Sequence, residues 1–254
     1  DLRLGLVVEP RFSAVFEGNP DVDHILAPRP DWPSDLCLNL HGGTRSMFLT
    51  ATSRARWRAG FAHFRAPWIY NVRIPTAQQI LGVTRKVHTA EHLASAIFHL
   101  GAPQREIPRA RLFAAPAPST RPYAVLHPFA SAPAKTWPAE RFVELGRALG
   151  MEAVFIGGAH DDFAPFAGFR TLRGAPLKEV IALIAGSSLL VGNDSGPAHV
   201  AAALGTPLVV LFGASDPLVW APWKARSRML VAGSGMPSVS VTAVLKAIES
   251  LKVA

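Results

Sequence analysis

Val191-Gly192-Asn193-Asp194-Ser195-Gly196-Pro197-Ala198-His199, followed by Ala201-Ala202-Ala203-Leu204-Gly205-Thr206-Pro207, joins an apolar strand ending at Val191 to an alanine-rich helix beginning near Pro197. Asp194, Ser195 and Gly196 therefore stand at the carboxyl end of a strand and the amino end of a helix, the place where open α/β sheets bind ligands. Unpaired N–H groups and the positive end of the helix dipole attract phosphate there, Gly196 lets a ligand approach the backbone, and Pro197 suits the first helical turn. A helix cap is the simpler reading of Asp194 or Ser195, but capping needs only one such residue and leaves His199 surplus.

Working outward, the same strand–helix alternation recurs. Strands are expected at Tyr123–His127, Ala153–Ile156, Leu189–Val191 and Leu208–Phe212, with helices at Ala139–Leu149, Leu177–Ala185 and Pro197–Leu204. Such alternation implies a parallel sheet covered on both faces, a doubly wound unit. Apolar residues at Val241, Val244, Leu245, Ile248 and Leu251 give a final helix one buried face. Between Tyr123 and the helix at Ala139 lies His127-Pro128-Phe129-Ala130-Ser131-Ala132-Pro133-Ala134-Lys135-Thr136-Trp137-Pro138. Its small residues expose the backbone, and Lys135 offers a mobile cation for a diphosphate.

Ahead of this unit, Ala114-Ala115-Pro116-Ala117-Pro118-Ser119-Thr120-Arg121-Pro122 reads as a linker. It places a boundary between domains 1–118 and 119–254, with the last helix a candidate to return to the first. The opening half also alternates: a strand within Leu2–Val8, a helical stretch Arg11–Gly18, the Asn19-Pro20-Asp21 turn, and strands at Val22–Leu26 and Leu36–Leu40. The chain opens directly on a strand, without a start methionine, which reads as an interior beginning.

At 254 residues, 49% hydrophobic and 17% charged, the composition excludes a disordered chain. No apolar run approaches the roughly 18 residues of a membrane span. The single Cys37 excludes an intrachain disulfide and a cysteine zinc site and suits a reducing cytoplasm. The net charge of +8 points to an anionic partner. Its distribution is sharper: no carboxylate occurs from Leu36 to Ala90, while Arg45, Arg54, Arg56, Arg58, Arg65, Arg73, Arg85 and Lys86 all fall there. Arg45, in Leu40-His41-Gly42-Gly43-Thr44-Arg45-Ser46 after a strand, is the candidate acceptor-binding residue together with His41. Arg54, Arg56 and Arg58 are candidates for anionic lipid headgroups. His41, His63, His88, His92 and His99 lack metal-ligand spacing and read as surface or core residues. Asp21 and Asp23 read as structural, Asp31 and Asp35 as solvated. Trp220 and Trp223 are candidates to border a nucleobase or to pack. Nucleic-acid binding is not expected, since no zinc, helix-turn-helix or aromatic sheet signature accompanies the charge.

The order His-Pro-x-small-Ser, Lys-x-Trp-Pro, Gly-Gly with acidic residues, Asn-Asp-Ser-Gly-Pro-x-His and Leu-Phe-Gly-x-Ser-Asp-Pro resembles glycosyltransferase family nine, the family of the ADP-heptose:lipopolysaccharide heptosyltransferases. Val-Glu-Pro-Arg, Gly-Asn-Pro-Asp-Val-Asp and Leu-His-Gly-Gly-Thr-Arg-Ser extend the likeness over nearly the whole chain. The resemblance implies a GT-B fold, two Rossmann-like domains facing a cleft, acceptor in the first and nucleotide-sugar in the second. It implies donor contacts from Ala130, Ser131, Lys135, Asp161, Asp194, Ser195, Gly196 and His199. Ala130 stands where the family often has a hydroxyl residue, and Asp161 replaces a frequent Glu. The chemistry implied is inverting and needs neither metal nor cofactor: transfer of heptose from ADP-heptose to the anionic inner core of lipopolysaccharide at the cytoplasmic side of the inner membrane. Lys135 would stabilise the leaving diphosphate, and the general base would be an aspartate after a first strand, in a βα unit expected to precede this chain. A nucleotide-sugar-binding protein without transferase activity, or a transferase using another nucleotide-sugar, are the alternative readings.

Overall fold

The computed structural model describes residues 2–28 and 32–253. The chain divides into two compact units, residues 1–10 with 22–108 and residues 11–21 with 109–254. The division by contacts falls at Pro108 and Arg109, ahead of the linker expected at 114–122, and carries residues 11–21 into the second unit. Asp31, read as solvated, lies outside the described residues.

The first unit holds β1 (Gly5–Val7), β2 (His24–Leu26), β3 (Leu36–Asn39), α1 (Thr44–Thr52), β4 (Trp57–Phe61), β5 (Val72–Ile74), α2 (Ala77–Leu81) and α3 (Thr89–His99). Its strands form two parallel sheets, β1-β2 and β3-β4-β5. Local chemistry sets the helix ends. Thr76 and Gln79 close a capping box on α2, which ends at the left-handed Gly82, and His88 and Glu91 close another on α3. Arg85 grips the Glu91 carboxylate at 2.6 Å and holds its pKa down at about 2. Buried Ala59, Phe61, Ile74 and Ala96 form the core. Asp23 is structural, as expected, accepting from the Leu4 amide at 2.6 Å. The helix expected at Arg11–Gly18 is instead a 3-10 turn, Pro10–Val15. It belongs to the second unit, where Glu17 meets Lys178 at 2.7 Å and Asp21 faces Arg111 at 3.9 Å.

The second unit comprises β6 (Tyr123–His127), α4 (Ala139–Ala148), β7 (Glu152–Gly157), β8 (Arg170–Arg173), α5 (Leu177–Gly186), β9 (Leu189–Asn193), α6 (Gly196–Leu204), β10 (Leu208–Phe212), α7 (Pro217–Trp220), β11 (Ser227–Val231) and α8 (Val241–Ser250). All six strands pair in parallel in the order β11-β10-β9-β6-β7-β8. Alternation along each strand splits the core in two. Ala124, Leu126, Val191 and Leu211 pack with Phe142 and Leu145 of α4 and with Val241 and Val244 of α8. Tyr123, Val125, Leu190 and Val210 pack with Ile184 of α5 and with Ala198 and Ala201 of α6. The sheet is therefore doubly wound, and α8 packs into the core of the second unit. Chain order runs outward from β6 to β8 and then returns to the other side of β6 at β9, making a switch point at the carboxyl ends of β6 and β9.

Candidate donor site at the switch point

Two side chains, Asn193 and Trp137, anchor the carboxyl edge between β6 and β9. Asn193 ends β9 fully buried, accepts from the Trp137 amide at 3.0 Å through Oδ1, and donates to the Pro128 carbonyl at 2.9 Å through Nδ2. One amide thus ties the Asn193 loop to the loop carrying Lys135. Trp137 is buried and donates its Nε1–H to the Val239 carbonyl at 2.9 Å, which Arg141 also reaches. Trp-Pro therefore anchors the lysine loop in the core.

Above this anchor, Lys135 Nζ stands 3.9 Å from Asp194 Oδ2, with the Asp194 side chain only 9% exposed and Lys135 32%. Lys135 ends a 3-10 turn, Pro133–Lys135, that brings Ala134 close to the β10 exit: a Cβ on Gly213 would lie 2.1 Å from the Ala134 carbonyl oxygen. Only glycine fits there. Asp194 is fixed from behind, its amide donating to the Leu211 carbonyl at 3.0 Å. Ser195 flanks α6 in extended conformation without a side-chain cap, Gly196 is exposed with open space where a Cβ would be, and Pro197 follows it in the first turn. The α6 amino end is therefore a polar, positive terminus beside a lysine, an arrangement able to hold a phosphate.

The other expected donor residues divide by position. Ala130 and Ser131 lie in the β6–α4 loop, Ser131 exposed, and His199 is exposed on the first turn of α6. Asp161 turns back on its own loop, accepting from the Gly158 amide at 2.7 Å. A Cβ on Gly157 would meet the Phe129 ring at 2.4 Å and Asp161 Oδ2 at 2.9 Å, so this glycine makes room for both. Trp220 is half exposed on the short α7, and Lys224 lies over the Trp223 ring at 5.6 Å.

His127, which sequence reasoning passed over, sits at the end of β6 with Nδ1 2.9 Å from Ser195 Oγ. Removal of the ring from water pushes its pKa down to about 4, with Asp161 pulling weakly upward. The folded protein thus binds this proton less readily than the unfolded chain. Stability is fully present above the ordinary value of 6.5 and falls as the pH drops toward about 4, by about 3 kcal/mol from this group. His92, stacked on Phe61 at 4.1 Å, is shifted the same way by burial and by His63. Urea unfolding at pH 7, 5.5 and 4 should show this loss, and His127→Asn should flatten part of it.

In the first unit, His41 accepts from the Gly43 amide through Nδ1 at 3.2 Å, and Asn39 Oδ1 holds the amides of His41 and Gly42, both at 3.0 Å. Gly42 takes φ +69°, against the Phe64 ring. This turn sets the start of α1, which has no side-chain cap, and places Arg45 on its first turn, exposed and paired with Glu9 at 2.9 Å. Arg58 is occupied internally, donating to the Ile69 carbonyl at 3.0 Å, whereas Arg54 and Arg56 are exposed, Arg56 over the Trp57 ring. Among the described residues, no three His, Cys, Asp or Glu gather as a metal site, and no helix is long and apolar enough to cross a membrane.

Known proteins are similar to this chain in sequence and in fold. The sequence model of glycosyltransferase family 9 (heptosyltransferase) covers residues 33–248. Lipopolysaccharide heptosyltransferase 3 of Escherichia coli is 38% identical over 115 residues, 40% of this chain and 34% of the relative. Lipopolysaccharide heptosyltransferase 2 of Salmonella typhimurium is 37% identical over 113 residues, 39% of this chain and 32% of the relative. The matches thus span about a third of the length of these curated relatives. In fold, a glycosyl transferase family 9 structure from Veillonella parvula superposes with a TM-score of 0.82 at 21% identity, covering 98% of this chain and 88% of that one. The E. coli ADP-heptose lps heptosyltransferase II gives 0.78 at 22% identity, covering 98% and 89%. The E. coli heptosyltransferase WaaC with ADP-2-deoxy-2-fluoro heptose gives 0.76 at 19%, covering 98% and 90%. With parallel α/β units of the expected GT-B class and a family match over most of its length, the chain belongs to glycosyltransferase family 9, the heptosyltransferase family.

Proposed function

We propose that the protein is an inverting, metal-independent glycosyltransferase that moves a heptose from ADP-heptose to the anionic inner core of lipopolysaccharide. The observation that carries the reading is Lys135 beside Asp194 at the uncapped amino end of α6, on the switch point of a parallel sheet. Lys135 and the helix terminus offset the charge that develops on the departing ADP, and Asp194 holds Lys135 and accepts from sugar hydroxyls. In this reading Ser131, Gly196 and His199 contact the diphosphate and sugar, Ala130 contributes backbone, and Asp161 meets the ribose, as the family resemblance implies. Family resemblance and relatives named for lipopolysaccharide support the acceptor.

The first unit supplies the anionic partner's counterpart. His41 and Arg45 mark the acceptor side, and exposed Arg54 and Arg56, with Trp57 and Trp68 also exposed, suit the anionic face of the inner membrane from the cytoplasm. Arg45→Glu should raise the acceptor KM about tenfold while leaving the donor KM unchanged, because it reverses one charge at a screened, exposed position. The function is tested by incubating the full-length protein with ADP-heptose and heptose-deficient lipopolysaccharide without metal, following ADP release and the mass of the product. Release of ADP with a heptose added to the core supports the reading. Tight ADP-heptose binding without transfer favours a nucleotide-sugar-binding protein instead.

A further inference from the structure

We propose that His127 is a positioning residue of the donor site, clasping the Ser195 hydroxyl across the switch point so that the Asp194–Ser195–Gly196 turn holds one set arrangement toward an anion. The inference rests on the donor-site reading above and names a residue that reading does not use. A serine in the extended conformation before a helix, here φ −163° and ψ 171°, ordinarily turns its hydroxyl onto the first-turn amides, and this one does not. Its Oγ donates to the Asn193 carbonyl at 3.0 Å and lies 2.9 Å from His127 Nδ1. A carbonyl only accepts and a hydroxyl has one proton, so the proton goes to Asn193 and His127 must donate through Nδ1–H. The ring is then neutral with a defined tautomer, in keeping with the downward shift its burial causes.

The backbone is shaped for this contact. His127 and Gly192 are register partners in β6 and β9, and a Cβ on Gly192 would lie 3.1 Å from the His127 carbonyl oxygen and 3.2 Å from its Cβ. Glycine at 192 lets the two strand ends close up until the imidazole reaches the next loop. Pro197, in the first turn, has no amide hydrogen, and the Ala198 amide already donates to the Ser195 carbonyl at 3.1 Å. The usual cap amides are thus closed to the hydroxyl, and without the imidazole it loses the donor that sets its position, and that of the turn carrying it, beside Gly196.

The test uses the 254-residue chain with ADP as the calorimetric probe, with thermal melting to confirm that each variant is folded. His127→Leu should weaken ADP binding about tenfold, roughly what loss of one hydrogen bond in a polar site removes. His127→Asn, whose amide nitrogen can take the place of Nδ1, should recover most of that affinity. In a Ser195→Ala background His127→Leu should have no further effect. A ligand-independent arm is nitrogen-15 NMR of labelled histidine, in which His127 should be the Nδ1–H tautomer and should change on Ser195→Ala. A folded His127→Leu with wild-type affinity, or one that weakens ADP equally without Ser195, overturns the proposal. An Nε2–H tautomer overturns the clasp alone. A wild-type chain that binds no ADP overturns the donor-site reading, and the role of His127 in positioning it falls with it even where the tautomer is as expected.

Discussion

Lys135→Ala is expected to lower kcat for heptose transfer by about 100-fold to 1000-fold while leaving the melting temperature within about 2 °C of wild type. The two halves of this expectation have different physical origins. The Lys135–Asp194 pair is 3.9 Å apart with the lysine one-third exposed, so solvent screening limits its stabilisation to under about 1 kcal/mol. In the proposed transfer, however, the diphosphate oxygen would gain charge as the bond to the sugar breaks, and a preorganised cation at that oxygen would be worth far more than in the resting protein. Asp194→Ala should produce a loss of similar size by another route, since it leaves Lys135 without its anchor and the sugar without an acceptor. The double variant should then lose much less than the product of the two single effects, because both residues act as one unit. Steady-state kinetics on the three variants checks this. Independent, multiplicative losses would mean that the two residues do not cooperate on one ligand.

Trp137→Ala should be the most damaging substitution for stability. The indole is fully buried, packs edge-on against Phe142 with ring centroids 4.9 Å apart, and holds the Val239 carbonyl. Removing it leaves a large cavity and takes from the Val239 carbonyl one of its two donors, Arg141 remaining, a cost of about 3–5 kcal/mol and a fall in melting temperature of about 10 °C. Asn193→Leu keeps the volume but strips the partners from the Trp137 amide and the Pro128 carbonyl, and about 3 kcal/mol is expected from the two orphaned groups. Thermal and urea unfolding measure both. The contrast with Lys135→Ala is the useful part: the same dozen residues carry a structural anchor in Trp137 and a chemical group in Lys135, and stability and turnover should separate cleanly between them.

The second unit was the more legible in sequence. β6 and β10 fall where the apolar runs place them, and α4, α5, α6 and α8 lie within a residue or two of their expected ends. Those elements are buried on one face or both, so burial and sequence pattern coincide. β8 and β11 were not foreseen. Arg170-Thr171-Leu172-Arg173 and Ser227-Arg228-Met229-Leu230-Val231 are edge strands, largely open to solvent, and they become strands by pairing with β7 and β10 rather than by any apolar run of their own. In the first unit the short α1 and α2 have weak patterns, and their starts depend on Asn39 and Thr76 holding local amides. The site shows the same division. Asp194, Ser195, Gly196 and Lys135 announce themselves by motif. His127 opens the His-Pro-x-small-Ser motif without showing its contact there, because its partner is 68 residues away and only the strand order brings the two together. The proline after His127, closing a strand at a loop of small residues, was the available signal.

Calorimetric titration of the chain with ADP-heptose, ADP and a UDP-sugar, without added metal, tests the central claim most directly. The account predicts that ADP-heptose and ADP bind at one site per chain, that the UDP-sugar binds at least about tenfold more weakly, and that Asp194→Ala and Lys135→Ala abolish the difference. Equal affinity for the UDP-sugar, or ADP binding untouched by both substitutions, would contradict it.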